Sequence, residues 1–200
     1  MTKANNFQKM RDLNFYQQAA IALVLLERML PNYQLFAEVS EFGDAQLPRH
    51  CLDLCWEWLQ VRRAKINFER LQDELEQITP EVSHFDMFGV YPAVDAITAL
   101  DTMLNGIRDQ DSGEFINVAK ISQASVARLI EYQSIDSEIS SEAELKKLVR
   151  EHELMHYEMD CLAELIELCA GFNSFEREQI QQLKLWVKEQ GVTNLGMELA

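Results

Sequence analysis

Apolar residues recur at helical spacing along almost the whole chain, and sustained period-two alternation is absent. The pattern predicts a first helix over about 5–29, whose centre is the apolar run Ala19-Ala20-Ile21-Ala22-Leu23-Val24-Leu25-Leu26 closed by Glu27-Arg28. Pro31 then suits the first turn of a short helix carrying Tyr33, Leu35, Phe36 and Val39, and Phe42-Gly43-Asp44 makes a turn. A helix follows through Leu52, Leu54, Cys55, Trp56 and Leu59. Another over about 66–78 puts Phe68, Leu71, Leu75 and Ile78 on one face and most of its acids on the other.

Residues 79–91 read as the longest loop, aromatic and glycine-containing. Pro92 suits the first position of the next helix, which places Asp95 near free N–H groups of the first turn. That helix carries Val94, Ile97, Leu100, Leu104 and Ile107, and a turn at Gln110-Asp111-Ser112-Gly113 leads to a helix over about 114–134. Ser141-Glu142-Ala143-Glu144 is a capping box for the longest helix, ending near Gly171, and a last helix runs from Asn173 or Ser174 to just before Gly191. The expectation is an all-α fold: one compact bundle of seven to nine helices over 1–200, with no sheet, no internal repeat and no linker.

Composition agrees. Seven Gly and four Pro in 200 residues disfavour a turn-rich β fold. A net charge of −15 argues against nucleic acid or an anionic membrane surface as partner, because both are polyanions. Eight apolar residues cannot span a bilayer, and the run is neither placed nor followed like a secretory signal, so a cytoplasmic protein is expected. Cys51, Cys55, Cys161 and Cys169 form no Cys-x-x-Cys pair and read as buried free thiols.

One stretch suggests a chemistry. His152-Glu153-Leu154-Met155-His156 matches the zinc-protease pattern, in which two His one turn apart bind Zn²⁺ beside a Glu that activates water. A third ligand decides between site and coincidence. No His follows His156, but Glu176 stands at the spacing of the third ligand in a thermolysin-like site, which the stretch then resembles. The neighbouring positions depart from that pattern: Phe175 replaces its Asn, Ile180 its Asp, and no downstream His or upstream strand is present. His152 also shares an apolar stripe with Leu145, Leu148, Val149, Met155, Met159, Ala163, Ile166 and Cys169, with His156 on its flank, so both His read better as hydrogen-bonded core residues. No metal and no cofactor is therefore expected. The enzyme alternative is a zinc-dependent hydrolase with ligands His152, His156 and Glu176 and Glu153 as general base.

Glu81-Val82-Ser83-His84 follows Pro80 in loop sequence, and His50-Cys51 with Cys55 lacks a second pair, so neither makes a metal site. No phosphate loop, dinucleotide fingerprint or nucleophile elbow is present. In Phe85-Asp86-Met87-Phe88-Gly89-Val90-Tyr91 the aromatics either plug the core or form a recognition surface centred on Phe85, Phe88 and Tyr91.

Several blocks in order carry a family resemblance: Glu27-Arg28-Met29-Leu30-Pro31-Asn32-Tyr33, Phe42-Gly43-Asp44, Leu52-Asp53-Leu54-Cys55-Trp56-Glu57, Ala64-Lys65-Ile66-Asn67-Phe68, the segment from Phe85 to Ala96, and more weakly Asn194-Leu195-Gly196-Met197. They resemble the YjaG-like family of bacterial proteins, a domain-of-unknown-function family. The resemblance implies an all-helical cytosolic protein with no assigned activity, hence no catalytic residues to carry over, and hallmark blocks that leave out His152 and His156. The resulting expectation is a non-enzymatic module that binds a protein or a small molecule, with homo-oligomer formation an open option.

Overall fold

The computed structural model describes residues 5–61, 64–135 and 141–199. Nine α-helices make up the described fold: α1 (Asn6–Arg11), α2 (Phe15–Ser40), α3 (Leu47–Gln60), α4 (Phe68–Ile78), α5 (Val90–Asp109), α6 (Ser112–Gln133), α7 (Glu142–Glu151), α8 (Glu153–Ala170) and α9 (Arg177–Gln190). Among the described residues the β pairing amounts to a single bridge between Val192 and Glu198. The all-α expectation holds. No helix there is long and apolar enough to cross a membrane.

α2 is the axis of the bundle. Every residue from Ala19 to Leu26 is at most 1% exposed, so this helix is apolar all round because other helices surround it. It packs on α5 and α6 along much of its length, and on α3, α8 and α9 elsewhere. The main apolar cluster draws on α1 to α6, α8 and α9, while Val126, Ile130, Met155 and Leu195 form a smaller one. α4 behaves as its stripe predicts, burying Leu71, Leu75 and Ile78.

Five boundaries differ from expectation. The first helix divides at Asp12-Leu13, because Asn14 and Gln17 cap each other's backbone and start α2 afresh. Pro31 opens no new helix: α2 runs through it. The cost of an interior proline, about 3 kcal/mol, is outweighed by the burial of Met29, Leu30, Tyr33 and Phe36 on either side. Glu27 and Arg28, which close the apolar run, lie inside the helix as expected, and the helix continues past them to Ser40. α5 starts at Val90, ahead of Pro92, so Asp95 pairs with Arg128 of α6 at 3.1 Å instead of facing first-turn N–H groups. The predicted long helix breaks at His152, and α9 starts at Arg177, where Glu176 and Gln179 form a capping box.

The turn at Gly43 has φ = +79°, which favours glycine. A Cβ there would also collide with the Tyr33 hydroxyl, which crosses the turn to donate to the Ile78 carbonyl at 3.0 Å.

Candidate functional site

The three residues of the zinc alternative fall at the N-cap of α8, inside α8 and at the N-cap of α9. His152 is extended (φ −72°, ψ 138°) and ends α7 while capping α8, its Nδ1 accepting the Leu154 N–H at 3.1 Å. His156 is exposed in the first turn of α8, and Glu176 caps α9. The helix is thus not continuous through the stretch, and of the two His only His152 is half-buried, with its side chain hydrogen-bonded. Among the described residues no group of three or more His, Cys, Asp or Glu could hold a metal ion. Elemental analysis of protein purified without chelator is expected to give the same substoichiometric zinc for wild type and His152→Ala/His156→Ala. One zinc per chain, lost in the variant, would restore the motif as a site.

The four cysteines are buried and free. Burial pushes the thiols of Cys51 and Cys169 up to about 12, which makes them poor nucleophiles at neutral pH.

What the fold brings together is a buried polar network beneath an apolar groove. Arg28 donates to Glu158 Oε2 at 2.6 Å, and Ser122 donates to Glu158 Oε1 at 2.5 Å. The returning C-terminal segment closes the network. Asn194 donates its backbone N–H to the Arg28 carbonyl at 3.2 Å, and its side-chain Oδ1 accepts from Asn32 at 2.8 Å. Arg28 also lies 5.6 Å from the ring centre of Tyr157. On α8 the helical spacing puts Glu158 on the buried face with Met155, Cys161 and Leu162. The spacing of Glu158 from Met155 and Leu162 is the signal in the sequence that could have revealed it.

Above this network lies a groove of about 360 Å³. α2 supplies Asn32, Leu35, Phe36 and Val39, and the start of α5 with the turn before it supplies Met87, Phe88 and Pro92. Leu129 of α6 and the C-terminal residues Leu195 and Met197 complete the wall. The predicted aromatic surface divides. Phe85 is a plug, half-buried edge-on against Phe36 (5.0 Å) and Phe42 (5.4 Å). Phe88 faces the groove, stacked on Tyr132 at 4.3 Å and close to Tyr91 at 5.8 Å. Arg128 sits 5.4 Å from the ring centre of Tyr91 and binds Asp95, whose carboxyl burial pushes up against the opposing pull of that guanidinium.

A more open cleft of about 600 Å³ between α3 and α9 is walled by charge instead. There Arg49 is held by Glu27 and Asp53, Glu27 also accepts from the Trp56 indole at 2.7 Å, and Lys184 and Lys188 of α9 line the opposite wall, with Lys184 5.4 Å from the ring centre of Trp56.

Fold and site define a class: an all-helical protein with an apolar surface groove set over a buried ionic network. The family description "Protein of unknown function (DUF416)" matches residues 5–198, and the chain belongs to that family. It is 34% identical over 190 residues to "Uncharacterized protein YjaG" of Escherichia coli K12, covering 94% of both chains. An uncharacterised protein of Haemophilus influenzae is 32% identical over 193 residues, covering 96% of this chain and 95% of that one. The crystal structure of a DUF416 family protein from Shewanella baltica OS155 matches with a TM-score of 0.90 at 36% identity, covering 98% of this chain and 100% of that one. The sequence blocks that carry the resemblance meet in space: Arg28, Asn32 and Asn194 in the network, and Phe88, Pro92, Leu195 and Met197 around the groove.

Proposed function

We propose that the protein is a one-domain cytoplasmic interaction module with no enzymatic activity of its own, and that the apolar groove is its working surface. One observation carries this reading. Leu35, Val39 and Met87 line the groove yet stand 49%, 63% and 38% exposed, and the exposed Tyr91 and Tyr132 flank it through Phe88. Scattered apolar residues are ordinary on a surface, but a contiguous patch of them marks a binding site. Its volume lies at the lower end of the roughly 300–1,000 Å³ typical of ligand pockets, which suits a few apolar side chains better than a large cofactor.

The neutral dye Nile red tests the groove directly. Binding with blue-shifted emission is expected for the wild type, weakened about tenfold in Leu35→Gln/Val39→Gln. Both positions are exposed, so their replacement should shift stability by only about 0.5 kcal/mol each. Unchanged dye binding in a variant that melts like wild type would show that the groove is not the binding surface.

A further inference from the structure

We infer that the occupant of the groove is a basic amphipathic segment of another protein: a few apolar side chains set into the groove, with Lys or Arg around them. This rests on the reading of the groove as an interaction surface and adds what binds there.

The charges beside the groove are nearly all of one sign. Within two residues of a lining position, the charged side chains are Glu38, Glu41, Asp86, Glu131 and Glu198, against Arg128 alone. The five acids are exposed, and none belongs to an ion pair among the described residues. Arg128 is already engaged by Asp95 and lies over Tyr91.

Helix polarity points the same way. α2 and α6 both end at the groove, where Val39 and Gln133 line it, and neither has a basic residue in its last turn. The carbonyl end of a helix carries partial negative charge and normally favours cations. Here Glu38 and Glu41 sit at the end of α2 and Glu131 in the last turn of α6. Acids are thus stacked on two negative poles, an arrangement unfavourable for the free protein that a bound cation relieves.

The same charges count against other occupants. In a symmetric contact between two copies the same patch faces itself, so acid would meet acid in a chain of net charge −15. An anionic bilayer surface or a fatty acid carboxylate would face the same repulsion. A basic amphipathic segment satisfies the apolar floor and the acidic rim together, in the manner of other helix-in-groove partners.

The test uses two fluorescein-labelled synthetic peptides with the same leucine face, one carrying Lys on its polar face and the other Glu, read by anisotropy at low and high salt. The Lys peptide is expected to bind at least about tenfold more tightly than the Glu peptide at low salt. Leu35→Gln/Val39→Gln and Glu38→Gln/Glu41→Gln/Glu131→Gln should each weaken it about tenfold. Glu164→Gln/Glu167→Gln/Glu178→Gln, which removes the same charge from α8 and α9, should leave it within about twofold. Melting curves confirm that every variant is folded. Equal binding of the two peptides, or equal loss in the α8–α9 variant, would overturn the inference by showing a diffuse charge effect. If neither peptide binds while Nile red still reports the groove, the inference fails and the interaction reading stands. If nothing binds, both fail.

Discussion

Glu158→Ala is expected to destabilise the protein by roughly 3–5 kcal/mol, read as a fall in the urea midpoint at unchanged slope. Glu158 and Arg28 are 1% and 0% exposed and 2.6 Å apart. Deleting the carboxylate leaves a guanidinium in the core whose Nε already lacks a partner. Its remaining neighbours are the Thr193 carbonyl at 3.5 Å and the face of Tyr157, and neither carries a compensating charge. Ser122 loses its acceptor as well. Arg28→Met/Glu158→Leu removes both charges and should recover most of the loss, since a buried pair against well-packed apolar residues is close to neutral. A Glu158→Ala protein within about 1 kcal/mol of wild type would mean that water reaches Arg28. The consequence extends to the surface, because the Arg28 guanidinium donates to the Thr193 carbonyl and Ser122 Oγ accepts from the Asn194 amide, and the segment after them places Leu195 and Met197 in the groove wall.

Phe115→Ala is expected to cost a similar amount, about 3–5 kcal/mol, because it empties a fully buried ring site between α5 and α6. The ring lies 5.0 Å from Phe15 and beside Gly106, where the two helices meet. A Cβ on Gly106 would fall 2.6 Å from Phe115 Cε1 and 3.1 Å from the Asp111 carbonyl, so Gly106→Ala alone should cost about 1–3 kcal/mol through overpacking. In the Phe115→Ala background the ring clash is gone and only the 3.1 Å approach to the Asp111 carbonyl remains. The glycine substitution should then cost at least about 1 kcal/mol less, as measured in a four-corner denaturation cycle. Strict additivity would show that the ring does not set the approach of the two helices.

Helix existence was legible in the sequence and helix limits much less so. The stripe Phe68, Leu71, Leu75, Ile78 predicts α4 because a surface helix must bury one face; the last three are buried and Phe68 is half-buried. Pro31 misleads because its penalty is local and finite, whereas the burial of the residues around it is a property of the whole bundle. His152 misleads in the opposite direction. Nothing between Glu142 and Ala170 is a proline or a glycine, yet the helix stops there, since α7 buries no residue and α8 buries seven.

The site was partly legible for the same reason. Aromatic loop residues announce a role, but Phe85 as plug and Phe88 as groove wall share one local sequence, and only their partners on α2 and α6 separate them. Leu35 and Val39 gave no sign of lining a surface, because a leucine and a valine in a helical pattern read as core.

The sequence by itself determined the helical class, the buried apolar run of α2, the state of the four thiols and the net acidity of the chain. These follow from periodicity, residue type and summed charge, which need no knowledge of neighbours. Only the tertiary structure decided that Arg28, Ser122, Glu158 and Asn194 form one network, and that residues 32–39, 87–92, 129–133 and 195–197 enclose one groove. Pairings over separations of 130 or 162 residues are set by how helices pack against one another, and packing is where local sequence stops carrying information.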